Sequence, residues 1–287
     1  MIGFVAFLAL GATLTPSQAG GVSIQWKLKK NDIFYVQTVG KSEQTVKMNG
    51  ETQPQKQDDT SVYQYEVMKA AKDGYVLEQT ILAMSSKSNP DRTGGVDQYA
   101  KVVGSKFTFH LGADFRVKKI EGVEDLLDKV SGKNPQIKQI IKGIWNDDTF
   151  KAPVEQLFRC GTDKPVKSGE SWKSDYRFPV AGMGEVNAKL TNKVIGIKGD
   201  AWEVSHAGDP KFSAIPSGII SDANIKVDKF EGVMRFDAKR GILKESTLEI
   251  HMSGTMTMNF SNEKVNAVFK QERTIATEVS LKNPIAK

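Results

Sequence analysis

From Leu248 to Phe260 the chain reads Leu-Glu-Ile-His-Met-Ser-Gly-Thr-Met-Thr-Met-Asn-Phe, with apolar residues or glycine at even positions and polar residues at odd ones. A period of two marks a strand with one buried and one solvated face. Thirteen residues at about 3.3 Å each span roughly 40 Å, which is long beside the roughly 3–10 residues of ordinary strands. Gly254 in the middle reads as a bend or bulge. A long, bent strand fits a strongly curved sheet or an open barrel. Its apolar face, Met252, Met256, Met258 and Phe260, is the candidate lining for an apolar ligand, because unbranched methionines adapt to varied shapes.

Hairpins recur along the rest of the chain. Tyr63, Tyr65 and Val67 lead through Lys72-Asp73-Gly74 into Tyr75-Val76-Leu77, and Phe107, Phe109 and Leu111 lead through Gly112-Ala113-Asp114 into Phe115-Arg116-Val117. Val186 to Val194 lead through Lys198-Gly199-Asp200 into Ala201-Trp202-Glu203-Val204, and Met234 and Phe236 precede Asp237 to Gly241 and then Ile242-Leu243. Short turns between strands imply antiparallel meanders. The two pairs of hairpins match at nearly the same offset, a weak internal repeat.

The middle has a different period. Val123, Leu126, Leu127 and Val130 are spaced i, i+3, i+4, i+7, and so are Ile137, Ile140, Ile141 and Ile144; Phe150, Val154, Leu157 and Phe158 form a third helical set. Three short amphipathic helices follow, each with an apolar face expected to pack on the sheet. Asn134-Pro135 supplies an N-cap and a proline in the first turn of the second; Asp147-Asp148 can cap the third. The fold expected is mainly β (α+β): antiparallel β-meanders in a strongly curved sheet or open barrel, with a short three-helix insert in the middle. The organisation expected is a signal peptide at 1–19, an N-terminal meander half at 20–120, the helical insert at 121–160 and a C-terminal half at 161–287, with 20–287 one compact unit.

Residues 1–19 carry no charge, and Ile2 to Leu14 are nearly all apolar. The run falls short of the roughly 20 apolar residues a transmembrane helix needs. Small residues at Ser17 and Ala19 place a signal-peptidase cut between Ala19 and Gly20. The basic segment that normally precedes the apolar core is missing, so either the true start lies upstream of Met1 or the chain is truncated. Export to the periplasm is expected, the extracellular medium being the alternative, with no stable membrane span after cleavage. The lone Cys160 allows no intramolecular disulfide and reads as a small buried residue. The net charge of +6 comes from interspersed lysines and carboxylates, not from a basic block, so nucleic-acid binding is not indicated and the charges read as solvated strand faces.

No sequence pattern supplies catalytic, cofactor or metal residues. His110 and His251 sit on the polar phase of strands; His206 shares the phase of Trp202 and Val204 but reads as a strand end next to Gly208. Histidine and cysteine lack the close spacing of a zinc site, and no metalloprotease, nucleophile-elbow or phosphate-loop motif occurs.

Four segments carry a family resemblance: Trp26 to Tyr35, Phe115 to Val123, Asp163 to Trp172 and Phe236 to Leu243. They resemble an uncharacterised family of exported bacterial proteins of the planctomycete type, a domain of unknown function. The resemblance implies export and a β-rich fold and supplies no activity. The function expected is a non-enzymatic cell-envelope protein that binds a lipid or other apolar molecule in a curved sheet. The alternatives are an envelope structural or interaction protein that binds anionic polymer or protein, and a hydrolase of unrecognised type.

Overall fold

A computed structural model describes residues 21–90, 99–145, 147–180, 184–214, 220–260 and 263–286; the expected cleavage site at Ala19 and Gly20 lies outside them. The elements, in chain order, are strands β1 (Val22–Ile24), β2 (Ile33–Met48), β3 (Glu51–Ala71), β4 (Gly74–Asn89), β5 (Lys106–Gly112) and β6 (Val117–Glu121), then helices α1 (Val123–Ser131), α2 (Pro135–Ile144) and α3 (Asp147–Phe158). Strands β7 (Thr162–Val166), β8 (Ser171–Val180), β9 (Gly184–Lys198), β10 (Ala201–Ala214), β11 (Ile220–Asp237), β12 (Ile242–Phe260) and β13 (Glu263–Ser280) follow.

Among the described residues one antiparallel sheet of 11 strands runs in the order β6-β5-β4-β3-β2-β13-β12-β11-β10-β9-β8, and β1 pairs with β7 beside it. The strands before the helices form one side and those after them the other; the sides join where β2 pairs with β13. The helices therefore connect the two outer edges. The matched hairpins occupy unlike places, β3–β4 beside the central seam and β9–β10 beside the edge strand β8.

The sheet is strongly curved and not closed. The guanidinium carbon of Arg273 on β13 lies 5.3 Å from the ring centre of Phe178 on β8, although five strand steps of about 4.8 Å would put those strands about 24 Å apart in a flat sheet. Tyr176 on β8 likewise meets Phe230 on β11 at 5.0 Å between ring centres. The long strand is longer than its alternation suggests, 19 residues in β12. Gly254 is not a bulge: its pairing with Phe269 on β13 is continuous, and the nearby irregularity falls on β11 between Val227 and Lys229. The glycine is required by close approach, since a Cβ there would sit 2.1 Å from the carbonyl oxygen of Asn224.

Inward-facing side chains form two apolar clusters. One gathers under the helices around Trp26, Phe34, Phe107, Phe109, Leu127 and Phe158. The other fills the far end of the concave face around Phe230, Ile250, Met252, Met256 and Phe269. In α1 the apolar face is buried through Val123, Leu126 and Leu127. Helix α2 departs from expectation. Asn134 caps it as its sequence indicates, accepting from the backbone N–H of Gln136 and Ile137, but Ile137 and Ile140 remain 45% and 69% exposed. Ion pairs of Lys138 with Glu124 and Asp128, and of Lys142 with Glu124, hold α2 to α1, so Ile137 and Ile140 turn outward while Ile141 packs against the first cluster.

Candidate functional site

Helix α3 lies across the gap between the sheet edges. Glu155 Oε1 accepts the backbone N–H of Val117 on β6 at 2.8 Å, and the next residue, Gln156, donates its side-chain amide to the carbonyl of Arg177 on β8. Asp148 also meets Arg177 at 3.8 Å. The contacts of Glu155 and Gln156 occupy main-chain groups that an edge strand otherwise leaves open. The C-terminal turn of α3 is fixed from below. Trp26 Nε1 donates to the carbonyl of Leu157 at 2.9 Å, which satisfies one of the acceptors a helix end leaves unpaired, and the Phe158 ring packs tilted against the Trp26 ring, 4.9 Å between centres. The first half is tied down through Phe150 against Phe107, 4.9 Å between rings. Pro153 inside the helix has no N–H to donate to the preceding turn.

Beneath α3, between it and the concave sheet, lies a cavity of about 760 Å³, within the roughly 300–1,000 Å³ typical of small-molecule sites. Its wall is mostly apolar and aromatic, with Tyr65, Ile81, Phe107, Leu157, Leu190 and Met234 contributed by β3, β4, β5, α3, β9 and β11. A belt of polar residues crosses it between the two apolar clusters. Thr38 and Thr277 stand opposite each other on the central strands with their hydroxyls 3.4 Å apart. Ser246 is the next residue along that row, opposite Thr277. Asn192, which donates to Ser174 at 2.9 Å, stands opposite His206. Gln79 donates to the Tyr65 hydroxyl.

His206 is an inward residue well inside β10, not a strand end. Gly208 is glycine because the neighbouring strand passes close: a Cβ there would meet Leu190 Cδ2 at 2.8 Å and the carbonyl of Lys189 at 2.9 Å. Opposite His206, Gly232 leaves room for the ring; a Cβ on it would sit 2.3 Å from His206 Nε2. Burial alone pushes the imidazole down to about 4, so at neutral pH it is uncharged and offers one donor and one acceptor. Arg273 is another inward polar residue that the sequence did not single out. It continues the inward phase of Ala267 and Phe269 on β13 and borders the cavity.

The methionine face expected as ligand lining lies on the same concave side. Met252 and Met256 are buried in the second cluster and Met258 packs against it, while the cavity wall is built from other residues; the side chain of Phe260 lies outside the described residues. Cys160, just beyond α3, borders the cavity, and burial pushes its thiol up to about 12, which keeps it protonated and a poor nucleophile. His110 pairs with Glu121 at 3.1 Å and His251 with Glu249 at 2.7 Å on the outer surface. Among the described residues no cluster of three or more His, Cys, Asp or Glu could hold a metal ion, and no helix is long and apolar enough to cross a membrane.

Solved structures give only weak likenesses to this chain. A structure of lipid–protein interactions in lipovitellin is 12% identical with a TM-score of 0.42; the match covers 91% of this chain, which spans only 26% of that one. An outer membrane channel from Pseudomonas putida F1 is 10% identical over 93% of this chain and 99% of its own, with a TM-score of 0.25. A putative outer membrane lipoprotein-sorting protein domain from Vibrio parahaemolyticus is 11% identical over 88% of this chain and 87% of its own, with a TM-score of 0.16. Likenesses this weak carry nothing over to this chain. No curated protein matches the sequence. A family model described as "Family of unknown function (DUF6263)" matches residues 63–264, the greater part of the chain, and the protein belongs to that family.

Proposed function

We propose that the protein is an exported, non-enzymatic envelope protein that holds a lipid or other apolar molecule between its curved sheet and α3. The observation that carries this reading is the cavity of about 760 Å³, roofed by a helix that bridges both sheet edges. An ordinary β-protein fills such an interior with side chains; an apolar space of this size gains favourable free energy when an apolar molecule leaves water for it. The face of Met252, Met256 and Met258 continues on the concave side, and we place there the far end of a longer hydrocarbon tail. The periplasm is the compartment we favour, with the extracellular medium as the alternative, because residues 1–19 read as a signal peptide.

The test has two parts. The protein is purified from its own host and its organic extract examined by mass spectrometry, and the purified chain is titrated with N-phenyl-1-naphthylamine, a neutral dye that brightens in apolar surroundings. A co-purifying lipid and saturable dye binding are expected. A clean extract together with no dye uptake sinks the proposal. A second reading, an envelope interaction protein, is favoured by one observation: the outward isoleucines Ile137 and Ile140 of α2. It would be supported by loss of self-association or partner retention on Ile140→Ser.

A further inference from the structure

Arg273 sits on β13, the sixth of the 11 strands and so the middle of the sheet, and projects from its concave face. The side chain is 28% exposed. Its Nε is buried without a hydrogen-bond partner, and its guanidinium lies under the ring of Phe178. The nearest carboxylate is Asp59 on β3, with Oδ2 3.6 Å from Nη2, beyond hydrogen-bond reach. The guanidinium approaches it across Gly40, where a Cβ would lie 3.4 Å from Nη2. Asp59 itself accepts from Gln57 at 2.8 Å and does not border the cavity, whereas Arg273 does.

A guanidinium carries five N–H donors and cannot shed its charge. Leaving its buried Nε unpaired beside the Phe178 ring is costly unless an anion satisfies it. Of the other cations bordering the cavity, Arg116 pairs with Asp114 at 3.2 Å, Arg159 with Glu155 at 3.5 Å and Arg177 with Glu185, while Lys151 has only a longer ion pair with Asp147 at 3.7 Å. Among them only Arg273 stands on the central strands and has a buried donor, its Nε, without a partner.

We propose that Arg273 is the anchor for the anionic group, a carboxylate or phosphate, of an amphipathic ligand whose hydrocarbon part fills the cavity. This rests on the cavity being a ligand site. The anion takes the guanidinium donors not turned toward Asp59, and the tail lies along the apolar wall beneath α3. Free inorganic phosphate lacks the tail and therefore most of the affinity.

The full chain, loaded with N-phenyl-1-naphthylamine, is titrated with palmitate, hexadecyl phosphate, hexadecanol and inorganic phosphate. The two anionic amphiphiles are expected to displace the dye at roughly tenfold lower concentration than hexadecanol, the worth of one charge-assisted contact, with no displacement by inorganic phosphate. In Arg273→Met and Arg273→Gln that preference collapses to the hexadecanol value while hexadecanol is unchanged. Arg273→Lys restores part of it. A measurement on the unsubstituted protein stands beside these: the carboxyl carbon of bound 13C-palmitate should titrate at lower pH than the same acid in neutral detergent micelles. Equal displacement by palmitate and hexadecanol with an unshifted carboxyl titration overturns the anchor and leaves the ligand site standing. Failure of both dye and hexadecanol to bind overturns both. Displacement by inorganic phosphate alone shows a soluble-anion site and also overturns the proposal.

Discussion

Glu155 and Gln156 are consecutive residues of α3 that hold opposite edges of one sheet, Glu155 through the N–H of Val117 on β6 and Gln156 through the carbonyl of Arg177 on β8. Neighbours on a helix point roughly 100° apart, so one turn can face two strands at once. The contact with Val117 joins a carboxylate to a backbone donor, and such bonds contribute more than neutral ones. Glu155→Ala should lower stability by about 1–2 kcal/mol and speed release of bound dye. Glu155→Gln, which keeps an acceptor, should lie close to the parent. Urea unfolding and stopped-flow dye release read the two effects; an unchanged release rate in Glu155→Ala removes α3 as the barrier to exchange.

His206 makes stability depend on acid. Its folded imidazole titrates near 4 against 6.5 for the free group. Between those values the unfolded chain binds a proton that the folded chain refuses, so stability is greatest above pH 6.5 and falls as pH drops toward 4. The slope is at most about 1.4 kcal/mol per pH unit. His206→Gln should flatten the urea midpoint between pH 7 and pH 5 relative to the parent. Identical pH profiles for the two proteins would show that the ring is solvated after all.

Gly232 is the complement of His206. A methyl group there would stand 2.1 Å from the carbonyl of Thr247 and 2.3 Å from His206 Nε2. Gly232→Ala should cost about 2–3 kcal/mol and thrust the imidazole into the cavity, reducing dye capacity. Combining it with His206→Ala should recover the capacity but only part of the stability, because the clash with the backbone carbonyl remains. Thermal melts and dye titration of the three variants decide the matter; full recovery of stability would contradict the geometry.

The helices should respond unequally to substitution. Leu127 on α1 is 0% exposed and Ile140 on α2 is 69% exposed. Leu127→Ala should cost about 2–5 kcal/mol, whereas Ile140→Ser should stay within about 0.5 kcal/mol. A large loss in Ile140→Ser would mean that the isoleucine face is covered in solution, and sedimentation velocity of the parent would then show self-association.

The strands and helices were legible because burial imposes its period on the sequence: Phe107, Phe109 and Leu111 alternate, and Val123, Leu126 and Leu127 fall at i, i+3 and i+4. What alternation does not encode is which strand lies beside which. Nothing in Val36 or Val279 says that they face each other across the central seam. Two of the polar cavity residues were hidden for separate reasons. Gly208 looks like the end of a strand and is in fact a point of close approach inside β10, so His206 seemed to fall outside the sheet. Arg273 shares the inward phase of Phe269, but a charged residue in a strand rich in lysine and glutamate looks like part of a solvated face. The isoleucines of α2 misled in the opposite direction, since apolar periodicity states that a face prefers burial and not that a surface is present to bury it.

The seam between β2 and β13 also sets the order of events when the chain is made. Strand β2 is made well before β13, the last of the described strands, and waits for it before its second edge is paired along Tyr35 to Met48. Contacts between segments so far apart in sequence close slowly, because a long loop must be ordered before any of them forms. Until then the early half presents an unpaired edge at what becomes the centre of the sheet, and the cavity has only one wall. The cavity is thus enclosed only after β13 has joined the sheet, and the form that precedes this has an adhesive edge that a folding helper would have to shield.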